Sequence, residues 1–301
     1  MEAARSVKQI RRAAWRAGVS VGRTVARPTA GTRPLPEYLI VGGQRCGTTS
    51  LHHYLAQHPG VLPARFTKGV HWFDVAFDKP ESWYRANFPT LARRQAAAER
   101  LGYPVVTGEA SPYYLFHPEV PGRVARTMPD VRIIAILRDP IVRAWSHYHH
   151  ERVRGFEDLG FEAALDGEDG RLAGAETVLT EPGGHHFSHQ HHGYVARGRY
   201  AEQLNRWERH LPADQMLVLF SSDLEDDTEA TMARVHRFLG LPCVPTVTDR
   251  RWNRQSNPEL TEAIRAQLRS KFAEADRMLA DKLDRPLPWA DKPAGSPAGP
   301  S

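Results

Sequence analysis

Cysteine is scarce in this chain: Cys46 and Cys243 are the only two in 301 residues. That is too few for a disulfide scaffold or a cysteine-rich zinc module. No apolar run approaches the roughly 20 residues that cross a bilayer, and no uninterrupted apolar core follows the N-terminal arginines as a secretory signal would require. A soluble protein in the cytoplasm is the expectation. Disorder is excluded as well, because 41% hydrophobic and 25% charged residues are ordinary globular values. No internal repeat is visible.

An excess of one charge sign is also missing from the body. The net charge is +5, but residues 1–33 hold eight Lys or Arg against Glu2 alone, a charge of +7. The remainder carries 32 basic and 34 acidic residues, or −2, which argues against a nucleic-acid partner. Within the tail, Val7, Ile10 and Ala14 recur at helical spacing among arginines over Ser6–Arg16. A solvated terminus is the preferred reading, and weak contact with an anionic membrane surface is the alternative.

The domain layout follows from punctuation and periodicity. Residues 1–36 read as a basic tail and Pro/Gly linker, 37–290 as one domain, and 291–301 as a disordered Pro/Gly/Ser-rich tail. Strands are expected at Tyr38–Val41, Val105–Thr107, Val131–Leu137 and Met216–Phe220. Helical patterns fall at Thr49–Gln57, Ile141–Arg152, Phe161–Leu165, Tyr200–His210, Thr228–Leu239 and Pro258–Leu283. Alternating strands and helices predict a single α/β domain with a P-loop-like, mostly parallel sheet flanked by helices.

Two stretches carry anion chemistry. Gly42-Gly43-Gln44-Arg45-Cys46-Gly47-Thr48-Thr49 has the spacing of a loop that turns backbone N–H groups and a helix N-terminus toward a phosphate. The lysine of a nucleotide triphosphatase is absent, since Thr48 stands in its place; the loop's own cation is Arg45. After the strongest strand comes Arg138-Asp139-Pro140. Asp139 can cap the next helix, with Pro140 at its first position. Arg138 then emerges at the carboxyl edge of the sheet, where open α/β folds bind ligands, and Ser146 can face the same space.

These residues resemble the PAPS-dependent sulfotransferases, in particular the heparan sulfate glucosaminyl branch and its bacterial relatives. The resemblance spans about residues 38–288. It includes Lys68-Gly69-Val70-His71-Trp72-Phe73-Asp74, Gly108-Glu109-Ala110-Ser111-Pro112-Tyr113-Tyr114, Gly198-Arg199-Tyr200 with Trp207, and Phe238-Leu239-Gly240-Leu241-Pro242. It implies sulfonate transfer from 3′-phosphoadenosine 5′-phosphosulfate (PAPS) to a hydroxyl or amine of a small-molecule, lipid or carbohydrate acceptor, with no metal required. Gly43, Gln44, Arg45, Cys46, Gly47, Thr48, Thr49 and Ser50 would hold the 5′-phosphosulfate. Arg138 and Ser146 would hold the 3′-phosphate, with Tyr200 and Arg254 as further nucleotide contacts.

The family's glutamate base falls on Gly69, a further family lysine on Ala110, and the lysine of its first loop on Arg45. His71 is therefore expected to be the base, oriented by Asp74 or Glu109, with Arg45 stabilising charge on the departing phosphate. Two rivals stand beside this reading: a kinase-like phosphotransferase, and a nucleotide- or glycan-binding protein whose catalysis has lapsed. His185, His186, His189, His191 and His192 crowd one loop; their spacing would suit a metal, but with no Cys or acidic residue among them a solvated or substrate-facing loop is expected. Trp72, Phe73, Trp83 and Tyr84 are either core or acceptor cleft.

Overall fold

Four short segments pair into one parallel sheet: β1 Tyr38–Gly42, β2 Gly108–Ala110, β3 Arg132–Leu137 and β4 Met216–Phe220. The computed structural model describes residues 14–15, 17–181, 183–248 and 258–290. The strand order is β2-β1-β3-β4. The chain leaves β1 to one side and returns to the other, so the direction of winding reverses at β1. In such sheets the crevice beyond the carboxyl ends of the strands at the reversal receives the ligand. Leu39 pairs with Glu109 on one side and Ile133 on the other, and the β1–β3 register shifts between Ile40 and Gly42, just before the glycine loop.

The apolar runs behave as buried parallel strands do. All of β1 is enclosed, as is β3 from Ile133 to Leu137, whereas the first three residues of edge strand β4 are half-buried. Each fully buried Leu, Ile or Val side chain adds about 1.5–3 kcal/mol, so β1 and β3 form the rigid base of the crevice. The helices that matter for the site are α1 Thr48–Leu55, α2 Pro140–Arg154, α3 Phe187–His191, α4 Tyr200–Glu208 and α5 Glu262–Leu283. Helix α2 starts where Asp139 Oδ1 accepts from the Ile141 and Val142 amides, as its sequence predicts. It packs Ile141, Ala144 and Tyr148 into a second apolar cluster with Phe161, Tyr194, Leu268 and Phe272. No helix among the described residues is long and apolar enough to cross a membrane.

Two expectations need correction. The second strand is Gly108–Ala110, not Val105–Thr107; Val106 makes only an isolated bridge to Val61. Residues 27–36 are not a loose linker. Arg27–Thr32 forms a 3-10 helix, the buried Arg33 donates to the Phe88 carbonyl, and Arg85 donates back to Arg33 O at 2.8 Å. The helical segment 17–26 docks through Arg23, which donates to Asn87 Oδ1 at 2.8 Å and lies 4.3 Å over the Trp83 ring. Residues 6–13 and 16 of the candidate basic helix, and the tail 291–301, lie outside the described residues.

Gly108 explains why pairing begins there. A Cβ at this position would meet three carbons of the enclosed Tyr38 ring at 2.4–2.5 Å, so the ring lies flat against a bare backbone. Gly108→Ala is expected to destabilise the fold by about 1–3 kcal/mol through overpacking. Calorimetry should show a thermal midpoint several degrees lower, and an unchanged midpoint would contradict the close contact.

Candidate active site

The first-motif loop is built as a cradle on the end of β1. Gly43 N donates to Ile136 O of β3 at 2.6 Å, and Cys46 N closes the turn onto Gly43 O at 3.2 Å. Gly47 leads into α1 with left-handed backbone. The Cys46 thiol is enclosed beneath the loop, 3.6 Å from Tyr200 Oη, and burial pushes its pKa up. Gln44 is gripped at both ends of its amide: Arg197 donates to Oε1, and Nε2 reaches Glu151 Oε1 at 3.4 Å.

Arg45 rises from this frame with φ 69°, a conformation costly for a non-glycine residue and common where function holds it. Its Nε donates to Ser146 Oγ at 3.1 Å. Ser50 lies half-buried within α1.

The second motif lies alongside. Ser146 is buried on α2. Arg138 makes no side-chain hydrogen bond or ion pair among the described residues, while its carbonyl accepts from Tyr200 Oη at 2.9 Å. Burial, then repulsion from Arg138, lowers the pKa of Arg45. Two guanidinium groups held together in this way are relieved by an anion between them. The structure thus joins Arg45, Arg138 and Ser146 into one positively charged corner at the sheet reversal.

A third segment lies against β2. Residues 68–74 have no regular secondary structure, yet their backbone is satisfied by one neighbouring stretch. Val70 N donates to Glu109 Oε2 at 2.7 Å, His71 N to Ser111 Oγ at 3.0 Å, and Trp72 N and Phe73 N to Tyr114 Oη at 2.9 and 3.3 Å. Ser111 and Tyr114 in turn donate to Glu109 at 2.6 and 2.8 Å, and Tyr84 at 3.2 Å.

His71, with φ 56°, directs Nδ1 at Asp74 Oδ2, 2.7 Å away. The imidazole is about a third exposed and the carboxylate is buried. With its Nδ1–H held by Asp74, neutral His71 offers the Nε2 lone pair as a proton acceptor. Burial pulls its pKa down, but the charge and hydrogen bond of Asp74, helped by Glu109, outweigh burial and raise it above 6.5.

Of the two proposed orienting groups, Asp74 is the one that touches the ring. Glu109 is corrected from catalytic group to scaffold: it is enclosed, and its oxygens are occupied by backbone and hydroxyl donors. Tyr200, also enclosed, bonds to the Cys46 thiol and the Arg138 carbonyl. Arg254 lies outside the described residues. Each histidine of the 185–192 stretch has its own partner, including Gln190 for His185, Tyr113 for His189 and Glu151 for His191. No group of three or more potential metal ligands occurs among the described residues. Trp72, Phe73 and Tyr84 are core, and Trp83 packs partly buried against it.

Lys68 has a contact that its motif does not announce. Its Nζ donates to Thr49 Oγ1 at 3.0 Å and Thr48 Oγ1 at 3.3 Å. Its lysine-before-histidine block was visible, but its reach across to the loop was not.

Comparison with known proteins places the chain in a family. The family model described as "Sulfotransferase domain" matches residues 35–268. Human heparan sulfate glucosamine 3-O-sulfotransferase 3A1 is 29% identical over 243 residues, covering 76% of this chain and 52% of that protein. Human bifunctional heparan sulfate N-deacetylase/N-sulfotransferase 2 is 28% identical over 69% of this chain and 22% of its own length. The chain therefore spans about half, or less, of these curated relatives. A crystal structure of a sulfotransferase from Alicyclobacillus acidocaldarius superposes with a TM-score of 0.62 at 26% identity, covering 84% of this chain and 98% of that one.

The His71–Asp74 pair yields a direct test. In the parent protein the His71 imidazole should titrate above 6.5 by NMR. Asp74→Asn removes the charge that chiefly raises it and leaves burial and Lys68 opposed only by the smaller pull of Glu109, so the titration should move below 6.5. An unmoved titration would show that Asp74 does not control the imidazole.

Proposed function

The chain belongs to the sulfotransferase domain family, and from that membership we propose that it transfers a sulfonate group from PAPS to a hydroxyl or amine of an acceptor and releases PAP. The observation that carries this reading is a carboxylate-oriented histidine on the same segment as Lys68, whose ammonium reaches the loop that bears Arg45 within electrostatic reach of Arg138. The residues fit a ligand with two anionic ends. Arg45 and Arg138 repel one another, the loop ends on the amino terminus of α1, and Lys68 has no carboxylate within ion-pair distance among the described residues.

In this assignment residues 43–50 face the 5′ end, and Arg138 with Ser146 faces the 3′-phosphate. PAPS supplies the sulfonate, which passes to the acceptor oxygen or nitrogen as its bond to the 5′-phosphate breaks and that phosphate keeps the electron pair. His71 Nε2 takes the acceptor's proton, and Asp74 stabilises the imidazolium that forms. Arg45, reaching from the loop to Ser146, sets the two ends in a fixed relation, and its charge offsets the charge that collects on the departing phosphate. The curated relatives are named for sulfonation of glucosamine in heparan sulfate. A carbohydrate hydroxyl or amine is accordingly the first acceptor class to screen, ahead of lipids and small-molecule alcohols.

Ligand binding by the folded state alone should stabilise the protein by about 2.7 kcal/mol at a hundred times the dissociation constant. A thermal shift is expected with PAP and not with Mg-ATP, and Arg138→Ala should abolish it; a shift with Mg-ATP alone would favour a phosphotransferase. His71→Ala should keep the PAP shift while losing about 10²–10⁴ in sulfonation rate. Because the base acts when neutral, the parent rate should rise with pH through a value above 6.5. Full PAP binding without turnover on any acceptor would instead mark a lapsed enzyme.

A further inference from the structure

A phosphate-binding loop of this spacing ordinarily places a lysine directly after its second glycine, followed by a hydroxyl that coordinates magnesium. Here those two positions are Thr48 and Thr49. Lys68 arrives from a different segment, and its ammonium donates to both hydroxyls, at 3.3 and 3.0 Å. The segment is fixed at this point, because Lys68 O accepts from Ala110 N of β2 at 2.8 Å and Thr67 Oγ1 donates to Gly69 O at 2.7 Å. No carboxylate lies within ion-pair distance of Nζ among the described residues.

A largely desolvated ammonium with two neutral partners and no counter-ion is under-satisfied, and an anion arriving at the loop would complete its set of donors. We propose that Lys68 is the 5′-phosphate cation of this site, delivered in trans to the loop, its ammonium seated on the hydroxyl where a nucleotide triphosphatase seats magnesium. The role is one of binding and positioning, and it rests on the sulfotransferase reading above. It also accounts for two absences together: the loop has no lysine at Thr48, and β2 has none at Ala110, whose amide is bonded to the Lys68 carbonyl.

Electrostatics agree with the geometry. Burial, with a further push from Arg45, draws the Lys68 pKa down to about 8 against the pull of Glu109. The ammonium is thus charged at neutral pH and loses its proton as pH rises through about 8. A ligand that needs the charge binds more weakly as pH rises through about 8.

The test compares two probes by calorimetric titration: PAP, which has both phosphates, and adenosine 3′-monophosphate, which lacks the 5′ one. Lys68→Met should weaken PAP at least about tenfold, the lower end for a lost hydrogen bond to a charged group, and leave adenosine 3′-monophosphate unchanged. The parent's PAP preference should decline above about pH 8. Lys68→Arg, always charged, should retain the preference without that decline.

An unchanged PAP-to-monophosphate ratio in Lys68→Met overturns the proposal. If that variant unfolds, a decline in Lys68→Arg equal to the parent's overturns it instead. Failure of the parent to bind either probe would overturn the sulfotransferase reading, not the assignment of Lys68 within it.

Discussion

A single enclosed carboxylate organises the working edge of this protein. Glu109 sits in β2 with no exposure and accepts from one backbone amide and three hydroxyls. Burial raises its pKa, and those donors hold it back. Leaving such a group unpaired would cost several kcal/mol, whereas a full set of donors turns it into a fixed point. From it, Ser111 and Tyr114 extend to the amides of His71, Trp72 and Phe73. An irregular segment thereby acquires the order of a strand, and Lys68, His71 and Asp74 are held to the sheet they serve. The two sequence blocks that carry these residues lie about forty positions apart, yet they work as one unit.

The opposite side of the crevice relies on a second device, which couples the loop to α2. Arg45 bonds to Ser146, Gln44 to Glu151, and Tyr200 spans from Cys46 to the Arg138 carbonyl. Glu151 is itself enclosed, and although burial alone would raise its pKa, the histidine and arginine donors around it carry it far below the ordinary carboxylate value. The loop and the helix that presents Ser146 are thereby tied together through these side chains. In a close-packed interior such linked groups shift together rather than independently. Both devices are anchored in β1, β2 and β3, and they bring Arg45 within electrostatic reach of both Arg138 and Lys68.

Much of this was legible from residue order. The apolar runs of β1, β3 and β4 announce buried strands, the glycine loop announces an anion site, and Asp139-Pro140 announces the start of α2. What escaped has specific physical causes. Gly108-Glu109-Ala110 has low intrinsic strand preference, and it pairs because Tyr38 needs a bare neighbour, a tertiary fact. Glu109 and Tyr200 carry functional-looking chemistry but face inward, and inward orientation at a motif cannot be read from spacing. Lys68 reaches its hydroxyls from about twenty residues away, along a path set by the hydrogen bonds of Glu109. The ordering of residues 27–36 depends on a buried arginine finding a carbonyl, where composition suggested a linker.

The missing glutamate and the strained histidine are one feature seen from two sides. A Cβ on Gly69 would lie 2.7 Å from Ala110 O, 3.1 Å from Ser111 Oγ and 3.2 Å from His71 Nε2. The first of these is strand backbone and cannot withdraw, so the segment lies closer to β2 than any side chain at 69 permits. That approach lets Lys68 O bond to the Ala110 amide and lets Val70 and His71 reach Glu109 and Ser111. His71 then turns through left-handed backbone, with Nε2 beside the space a residue at 69 would occupy. The strain, of order 1–3 kcal/mol for such a residue, is offset by the Asp74 bond and the Ser111 contact. Placing a glutamate at 69 would therefore not simply add a carboxylate beside the histidine. It would push the segment off β2, and with it the histidine and the lysine that the close approach holds in place.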